Sequence, residues 1–433
     1  MKKYVFGIIL LVSFSFFFAI FSEEPKEEAV VEQPPFNIFK EARGKVLRWK
    51  LEPGDVVEIK KVAQQHVIIT DNTQKSELDR EVIHWITLNT LDKNRQHGYH
   101  VEGTFSTQIR QLPKKGTAFQ ADELYFSKFY IAPIGKYYVP GEQYMPNVRH
   151  IPIFPDKKDP ANVDHPLKEG DSWARVAEEI VSGKILYRVP IEANYVYLGK
   201  KTIKRKDKTK TLHKIKISLA INYTIKDGGK NDPQNIFGYA TALLAWDEEE
   251  GIPYLMREEI NLTLIYGNGL THEFAIKSLT RYKKKKSFTK ADKNQFVNDL
   301  KEAVKGDEGT KITQDENGIK IELPDVFFDF DSDKLSEEAA AVLQKITKVL
   351  EAYPNKRVLI RGHTDNVGKA KYNYNLSKGR ALRVLRYLTG KSKKLKLDNF
   401  SYHGEGSDSP VAPNSTSEGR KKNRRVEIII LDN

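Results

Sequence analysis

Between residues 37 and 282, apolar and polar side chains alternate in runs that end at turn residues. Val46–Leu51 and Asp55–Ile69 alternate on either side of a turn at Pro53-Gly54, and Glu259–Tyr266 repeats the pattern. Alternation with a period of two places every second residue in a core, so it predicts β-strands rather than helices. Many strands with few helical segments predict a β-rich domain over this range, folded as a sandwich or an open barrel.

From Val326 onward the pattern changes to alternating strands and helices. Val326–Phe330 predicts a short buried strand, and the apolar spacing over Leu335–Leu350 predicts a helix capped by the Ser336 hydroxyl. A β-hairpin over Lys311–Leu323, turning at Asn317-Gly318, is expected before this strand. The later segments predict a strand, a helix and two strands, which completes the order βαβαββ and a two-layer α/β fold. These later segments are Arg357–Arg361, Leu376–Leu388, Phe400–His403 and Val426–Leu431.

Three groups of short motifs follow one another in this part of the chain. They are Phe328–Leu335 (FDFDSDKL); Gly362–Gly368 (GHTDNVG) with Tyr372-Asn373, Leu376-Ser377 and Arg380-Ala381; and Gly404–Gly406, Asn414–Thr416, Glu418–Arg420 and Asn423–Ile428 (NRRVEI). Together they resemble the OmpA-like C-terminal domain family over residues 319–431. The chain is therefore interpreted as multidomain, with an OmpA-like peptidoglycan-binding domain at 312–433.

The resemblance implies non-covalent binding of peptidoglycan through the diamino acid of its stem peptide. The positions that match the family's binding residues are Asp365 and Arg380. Such a diamino acid ends in a head with an ammonium and a carboxylate on one carbon. A fixed carboxylate can bind the ammonium, and a planar guanidinium can bind the carboxylate with two parallel hydrogen bonds.

The same resemblance implies that five further residues line the groove that holds the ligand: Phe330, Asp331, Thr364, Asn373 and Leu376.

The binding interpretation has two competitors: Asp365 and Arg380 could pair with each other or with the backbone, or Asp365 could only shape its turn. Gly379 departs from the family pattern, and a glycine inside a helix costs about 1 kcal/mol relative to alanine, so the turn that presents Arg380 is expected to be loosened.

The N-terminus predicts export. Lys2 and Lys3 precede an uncharged apolar stretch, Tyr4–Phe21, and Ser22 leads into an acidic, proline-bearing run. This order is typical of a signal peptide over residues 1–22, although the stretch is also long enough for an uncleaved membrane anchor. Residues 23–36 lack periodicity and predict an extended spacer. The rest of the chain is therefore expected in the cell envelope, in the periplasm or associated with the outer membrane.

Composition narrows the chemistry. The absence of cysteine excludes disulfides, thiolate metal sites and the acylated cysteine of a lipoprotein. The formal net charge of +13 fits envelope polymers or anionic head groups better than nucleic acid in an exported chain, and a lysine-rich solvated surface also accounts for it. Peptidoglycan is the expected partner, with outer-membrane components or another envelope protein as further candidates. No cofactor, metal or nucleic acid is expected.

Two charge-rich segments are interpreted as structural. Residues 283–311 predict a linker that holds the lysine run Lys283–Lys286 and a short amphipathic helix over Asp292–Val304. The basic cluster Arg420–Arg425 (RKKNRR) is interpreted as a packing and ion-pairing feature rather than a phosphate site.

Other functional classes have weaker support. His363, Asp365, His403 and Glu405 do not have the spacing of a metal or acid–base site, so no enzyme is expected. A flagellar stator subunit needs an ionisable residue in its membrane span, and Tyr4–Phe21 has none. A third alternative stays open, in which the β-rich region binds a lipid, glycan or host ligand and the OmpA-like domain serves as its anchor.

Overall fold

The computed structural model describes residues 47–71, 74–112, 119–140, 152–155, 166–182, 186–205, 208–226, 229–287, 290–307, 309–315, 318–328 and 332–431. The predicted signal peptide, the spacer and the groove residues Phe330 and Asp331 lie outside these ranges. The C-terminal unit comprises Ser287–Asn433 with Gln108–Arg110 and Lys114–Asp122, and the N-terminal unit holds the other described residues before Ser287. No helix within the described ranges is both long enough and apolar enough to span a membrane.

The N-terminal unit is built from long antiparallel strands. In order of hydrogen bonding they run β4-β3-β2-β1-β11-β10-β9-β8-β7-β6, and β5 pairs with β4. This pairing confirms the strand-rich prediction, while the sandwich or open barrel stays a prediction. The strands are β1 (Asp55–Asp71), β2 (Gln74–Asn94), β3 (Gly98–Gln111), β4 (Phe119–Ile131), β5 (Tyr137–Tyr138), β6 (Ser172–Ser182), β7 (Leu186–Arg205), β8 (Lys208–Thr224), β9 (Pro233–Asp247), β10 (Ile252–Tyr266) and β11 (Thr271–Lys286).

Alternation along these strands separates a buried face from an exposed one. On β9, Ile236, Ala240 and Leu244 are buried, while Phe237 and Tyr239 face outward. The buried residues form two apolar clusters, one around Trp49 and Trp246 and the other around residues such as Ile236 and Phe274. The unit's core is therefore the inner face of a single hydrogen-bonded sheet.

The sequence predicted that the lysine run Lys283–Lys286 belongs to a linker, and this prediction is wrong. Strand β11 extends to Lys286, and its last lysines form ion pairs with carboxylates on β1. Lys285 lies 2.6 Å from Glu58, and Lys286 lies 2.7 Å from Asp55. Cross-strand charge pairs of this kind favour continued pairing. The helix predicted at Asp292–Val304 occupies Lys290–Ala303.

The C-terminal unit places its helices against a mixed sheet ordered β12-β13-β16-β14-β15. Strands β14 and β15 are parallel, whereas β16 is antiparallel to β13 and to β14. Helix α3 packs on β14 and β15, and α2 packs between α1 and α3. The elements are α1 (Lys290–Ala303), β12 (Lys311–Asp315), β13 (Gly318–Pro324), α2 (Glu337–Ala352), β14 (Val358–His363), α3 (Ala370–Gly390), β15 (Phe400–Gly406), α4 (Ser417–Asn423) and β16 (Arg425–Leu431).

The predicted order βαβαββ is wrong at two points. The described part of this prediction, Val326–Phe328, is not a strand: Asp325–Phe327 is a 3-10 turn, and Phe328 makes an isolated bridge to Leu335. A short buried apolar run fits a turn as well as a strand, and β13 already takes the place beside β16. The second difference is α4, which precedes the last strand. The predicted hairpin is confirmed, because β12 pairs with β13, and Ser336 caps α2 by accepting a hydrogen bond from the Ala339 N–H.

Candidate functional site

Helix α3 lies unusually close to the sheet beneath it, and this fixes where its side chains can reach. A Cβ atom at Gly362 of β14 would be 2.0 Å from the Ser377 carbonyl oxygen, and one at Gly404 of β15 would be 2.6 Å from the Lys378 nitrogen. Only glycine permits this approach of backbone to backbone. The loop after β14, which carries Asp365, is thereby held beside the middle of α3, which carries Arg380.

The Asp365 loop is closed by its own hydrogen bonds. The Asp365 Oδ1 atom accepts the Val367 N–H at 3.0 Å, so the turn-shaping interpretation holds for one of its oxygens. The Asn373 side-chain amide donates to the carbonyls of Asp365 and Val367, and the Thr364 hydroxyl donates to the Asp365 carbonyl. Asn373 and Thr364, both predicted to line the groove, thus fix the loop backbone. Leu376 is partly buried on α3.

Arg380 is almost fully buried and held from three sides. Its Nε atom donates to the Ser332 carbonyl at 2.9 Å, and its Nη1 atom donates to Asp325 at 2.8 Å. The guanidinium also lies over the Phe328 ring, 5.0 Å from the centroid. These contacts use two of its five N–H donors, and within the described residues the other three have no partner.

Asp365 and Arg380 do not pair with each other; two further charged residues connect them. Arg424 donates through Nη1 to Asp365 Oδ2 at 2.7 Å and through Nε to Asp325 Oδ2 at 2.6 Å. Asp325 uses its other oxygen for Arg380. The four side chains form an alternating series of charges, Asp365–Arg424–Asp325–Arg380, which is called the charge chain below.

The sequence interpretation missed the two inner members of the charge chain. Arg424 lies in the basic cluster that was interpreted as a packing and ion-pairing feature without a role at the site, and Asp325 directly follows β13. Burial lowers the pKa of Arg424, but its hydrogen bonds to Asp325 and Asp365 outweigh that effect and raise the pKa above its usual value. The motif Asn423–Ile428 was the available signal for Arg424, whereas no local signal marked Asp325.

The residues weighed for an enzyme are not assembled into a site. His363 is buried 3.4 Å from Glu427, and its burial lowers its pKa. Glu405 lies 3.5 Å from Arg361, and His403 contacts a backbone carbonyl. The described part of the chain holds no group of three or more His, Asp or Glu side chains suited to a metal ion.

Comparison with known proteins agrees with the motifs. Residues 327–424 match the model of the OmpA family, which confirms the predicted resemblance for this part of the chain. Outer membrane protein A of Bordetella avium is 38% identical over 107 residues, which are 25% of this chain and 54% of that protein. Peptidoglycan-binding protein ArfA of Mycobacterium tuberculosis is 43% identical over 89 residues, which are 21% of this chain and 27% of that protein.

A solved structure also matches only a limited part of this chain. The periplasmic domain of Helicobacter pylori MotB has 28% identity and a TM-score of 0.28, and the match covers 30% of this chain and 84% of that one. This chain thus spans about half, or less, of the length of the two curated relatives.

Proposed function

We propose that the C-terminal unit binds peptidoglycan non-covalently through the diamino acid of the stem peptide, and so tethers an exported envelope protein to the cell wall. The ammonium of the diamino acid head binds Asp365, and its carboxylate binds Arg380. The similarity to peptidoglycan-binding protein ArfA and the OmpA family match of residues 327–424 support the ligand class. The charge chain is the observation that carries the site.

The charge chain suits a zwitterion for an electrostatic reason. Its four members carry two negative and two positive charges, and a head group with one of each sign adds no net charge to the partly buried site. Asp365 and Arg380 stand at the two ends of the series, so each has a neighbouring charge on one side only. A ligand that bridges the ends completes the alternation.

Both end residues keep capacity for a ligand. The Asp365 carboxylate uses one site on each oxygen, and a carboxylate has about four lone-pair sites. Arg380 keeps three N–H donors within the described residues, in the planar geometry that binds a carboxylate with two hydrogen bonds. Phe330, Asp331 and Leu376 remain proposed groove residues.

Sedimentation of the full chain with purified peptidoglycan tests the proposal. Asp365→Asn and Arg380→Lys keep the size of each group but remove the charge or the planar fork, and each is expected to weaken binding about 10- to 100-fold, because a hydrogen bond to a charged group contributes about 1.5–3 kcal/mol. The matched controls are Asp333→Asn and Arg383→Lys, which alter an exposed pair 3.4 Å apart near the same helix. If both site variants bind peptidoglycan as well as the control variants do, the proposed roles of Asp365 and Arg380 are wrong.

Competition identifies the recognised group. Free diaminopimelate, which carries two zwitterionic heads, is expected to release the chain from peptidoglycan. Nα-acetyl-lysine methylamide, whose only charged group is the side-chain ammonium because its α-amino and α-carboxyl groups are blocked, is expected to compete far less because it leaves Arg380 without a partner. Equal competition by the two compounds would contradict the role of Arg380.

A further inference from the structure

Five neighbouring strands of the N-terminal unit present a common outer face. The register of β1, β11, β10, β9 and β8 aligns Val62, Leu279, Arg257, Leu243 and Lys216 in one row across the sheet. The rows on either side begin at Lys60 and at Gln64. These three rows are called the cationic face.

The charge of this face is strongly one-sided. Its three rows carry six cations and one carboxylate, Glu259, which lies 3.7 Å from Lys277. Lys60 stands directly opposite Arg281, although like charges in that position destabilise a sheet. Within the described residues, Lys216, Arg257 and Arg281 have no carboxylate partner. The six cations are Lys60, Lys214, Lys216, Arg257, Lys277 and Arg281.

The same face is concave and has an apolar floor. A cavity of about 690 Å³ is lined by Val62, Leu243 and Leu279 together with Lys216, Arg257 and Arg281, and Glu258 and Glu259 also belong to its lining. Leu243 is 44% exposed, so this floor is open to solvent. Cavities of about 300–1,000 Å³ are usual for small-molecule sites. Apolar side chains between cations provide a surface for a group that is anionic at one end and apolar at the other.

We propose that the cationic face binds the anionic headgroup of a bilayer lipid. The phosphate lies among Arg257, Arg281 and Lys216, and the adjoining apolar part of the lipid rests on Leu243 and Leu279. Charge complementarity favours an anionic partner, and the apolar floor distinguishes a lipid from a purely polar polyanion. The inference is independent of peptidoglycan binding, because it uses residues of the N-terminal unit alone.

Vesicle sedimentation of the full chain tests the proposal. The probes are phosphatidylcholine vesicles with and without phosphatidylglycerol, and the vesicles without it measure any binding through the N-terminal apolar stretch. The triple variant Lys216→Gln/Arg257→Gln/Arg281→Gln is expected to lose about 100-fold in affinity for the anionic vesicles, since each cation near an anionic surface contributes about fivefold. The control Lys201→Gln/Lys226→Gln/Lys230→Gln makes the same charge change at exposed lysines elsewhere and is expected to bind as the wild type does.

Two further arms separate a lipid site from simpler attraction. Leu243→Asn/Leu279→Asn is expected to remove the part of the binding that survives high salt, because salt screens the charges but not the apolar contact. Inorganic phosphate is expected to compete poorly. The proposal is overturned if the wild type ignores the anionic lipid, if both triple variants bind equally, if the leucine variant has no effect, or if free phosphate fully displaces the vesicles.

Discussion

The two units use charge in opposite ways. On the cationic face of the N-terminal unit, like charges stand side by side in solvent, and three of the cations have no carboxylate partner in the described structure. In the C-terminal unit, the charges of the candidate site alternate in sign and bond to one another, and Arg380 is 3% exposed. A buried charge needs opposite charges or hydrogen bonds from neighbouring residues, whereas an exposed charge is stabilised by water and can bind an external partner. The first arrangement suits salt-sensitive attraction, and the second suits a fixed stereochemical fit.

The largest effect is expected from a buried pair in the N-terminal unit, which shows that this unit also contains compensated charge. Lys61 and Glu258 lie 2.6 Å apart with side chains 5% and 1% exposed. Glu258→Gln is expected to lower the free energy of unfolding by about 3–5 kcal/mol because it leaves the Lys61 charge buried without its counter-ion. Urea unfolding followed by tryptophan fluorescence reports this unit selectively, since all four tryptophans precede Ser287.

The double variant Lys61→Met/Glu258→Leu serves as the control for that experiment. It is expected to recover most of the lost stability because it removes both charges. A double variant as unstable as the single one would show that packing, not charge, causes the loss.

A smaller loss is expected when the charge chain is cut. Asp325→Asn removes the carboxylate that both Arg380 and Arg424 contact. The expected cost is about 2–3 kcal/mol, below the full value for a buried pair because Asp325 and Arg424 are partly exposed. The helical circular dichroism signal follows this unit, because the described helices all belong to it.

The exposed pair Arg383–Asp333 provides the comparison for the charge chain. Asp333→Asn is expected to change stability by at most about 0.5 kcal/mol. Peptidoglycan binding should fall in Asp325→Asn and persist in Asp333→Asn. Equal stability of the two variants would show that the charge chain contributes no more to folding than an exposed ion pair does.

Acidification is expected to weaken the N-terminal unit through His272. Burial lowers the pKa of His272 to about 4, with a further contribution from Arg80. Because this folded pKa lies below the unfolded value of about 6.5, the unfolded state takes up a proton first, and stability is lost as the pH falls from about 6.5 to 4. In His272→Phe, the unfolding midpoint followed by tryptophan fluorescence should depend less on pH in this window.

The C-terminal unit has a further acid-sensitive group in Glu427. Burial would raise the pKa of Glu427, but His363, Arg425 and Lys320 hold it at about 2. Its stabilising contribution is therefore present above about pH 4.5 and lost as the pH falls towards 2.

The C-terminal unit provides the control for the His272 experiment. The helical circular dichroism signal of His272→Phe should keep the pH dependence of the wild type, because His272 lies in the other unit. An unchanged tryptophan transition in that variant would assign the N-terminal pH dependence to other groups.

Among the variants that are expected to change stability, Gly379→Ala has a small effect. Helix α3 runs through this position without a break, and a Cβ atom there would lie 3.4 Å from Asp333, an ordinary contact. Gly379→Ala is therefore expected to stabilise the C-terminal unit by about 0.5–1 kcal/mol. If the glycine loosens the presentation of Arg380, the variant should also bind peptidoglycan somewhat more tightly; unchanged binding would show that the helix is already firm enough.

Sequence reasoning worked best where the signal was local. The motifs around Asp365 and Arg380 identified the OmpA-like region, and the apolar spacing located the helices that became α2 and α3. It failed at Val326–Phe328, the described part of a predicted strand, where a short apolar run fits either a strand or a turn. It also failed at Lys283–Lys286, where the lysines contact carboxylates of β1 about 230 residues earlier.

The sequence by itself determined that the first part of the chain is strand-rich, that the last part is OmpA-like, and which residues of each strand share a face. Only the tertiary structure decided which distant residues become neighbours. Asp325 and Arg424 meet across 99 positions of sequence, and Lys216 reaches the row of Val62 through three intervening strands. The period of a strand fixes the direction of its side chains, but strand order and register depend on packing over the whole unit. Both the charge chain and the cationic face arise at that level.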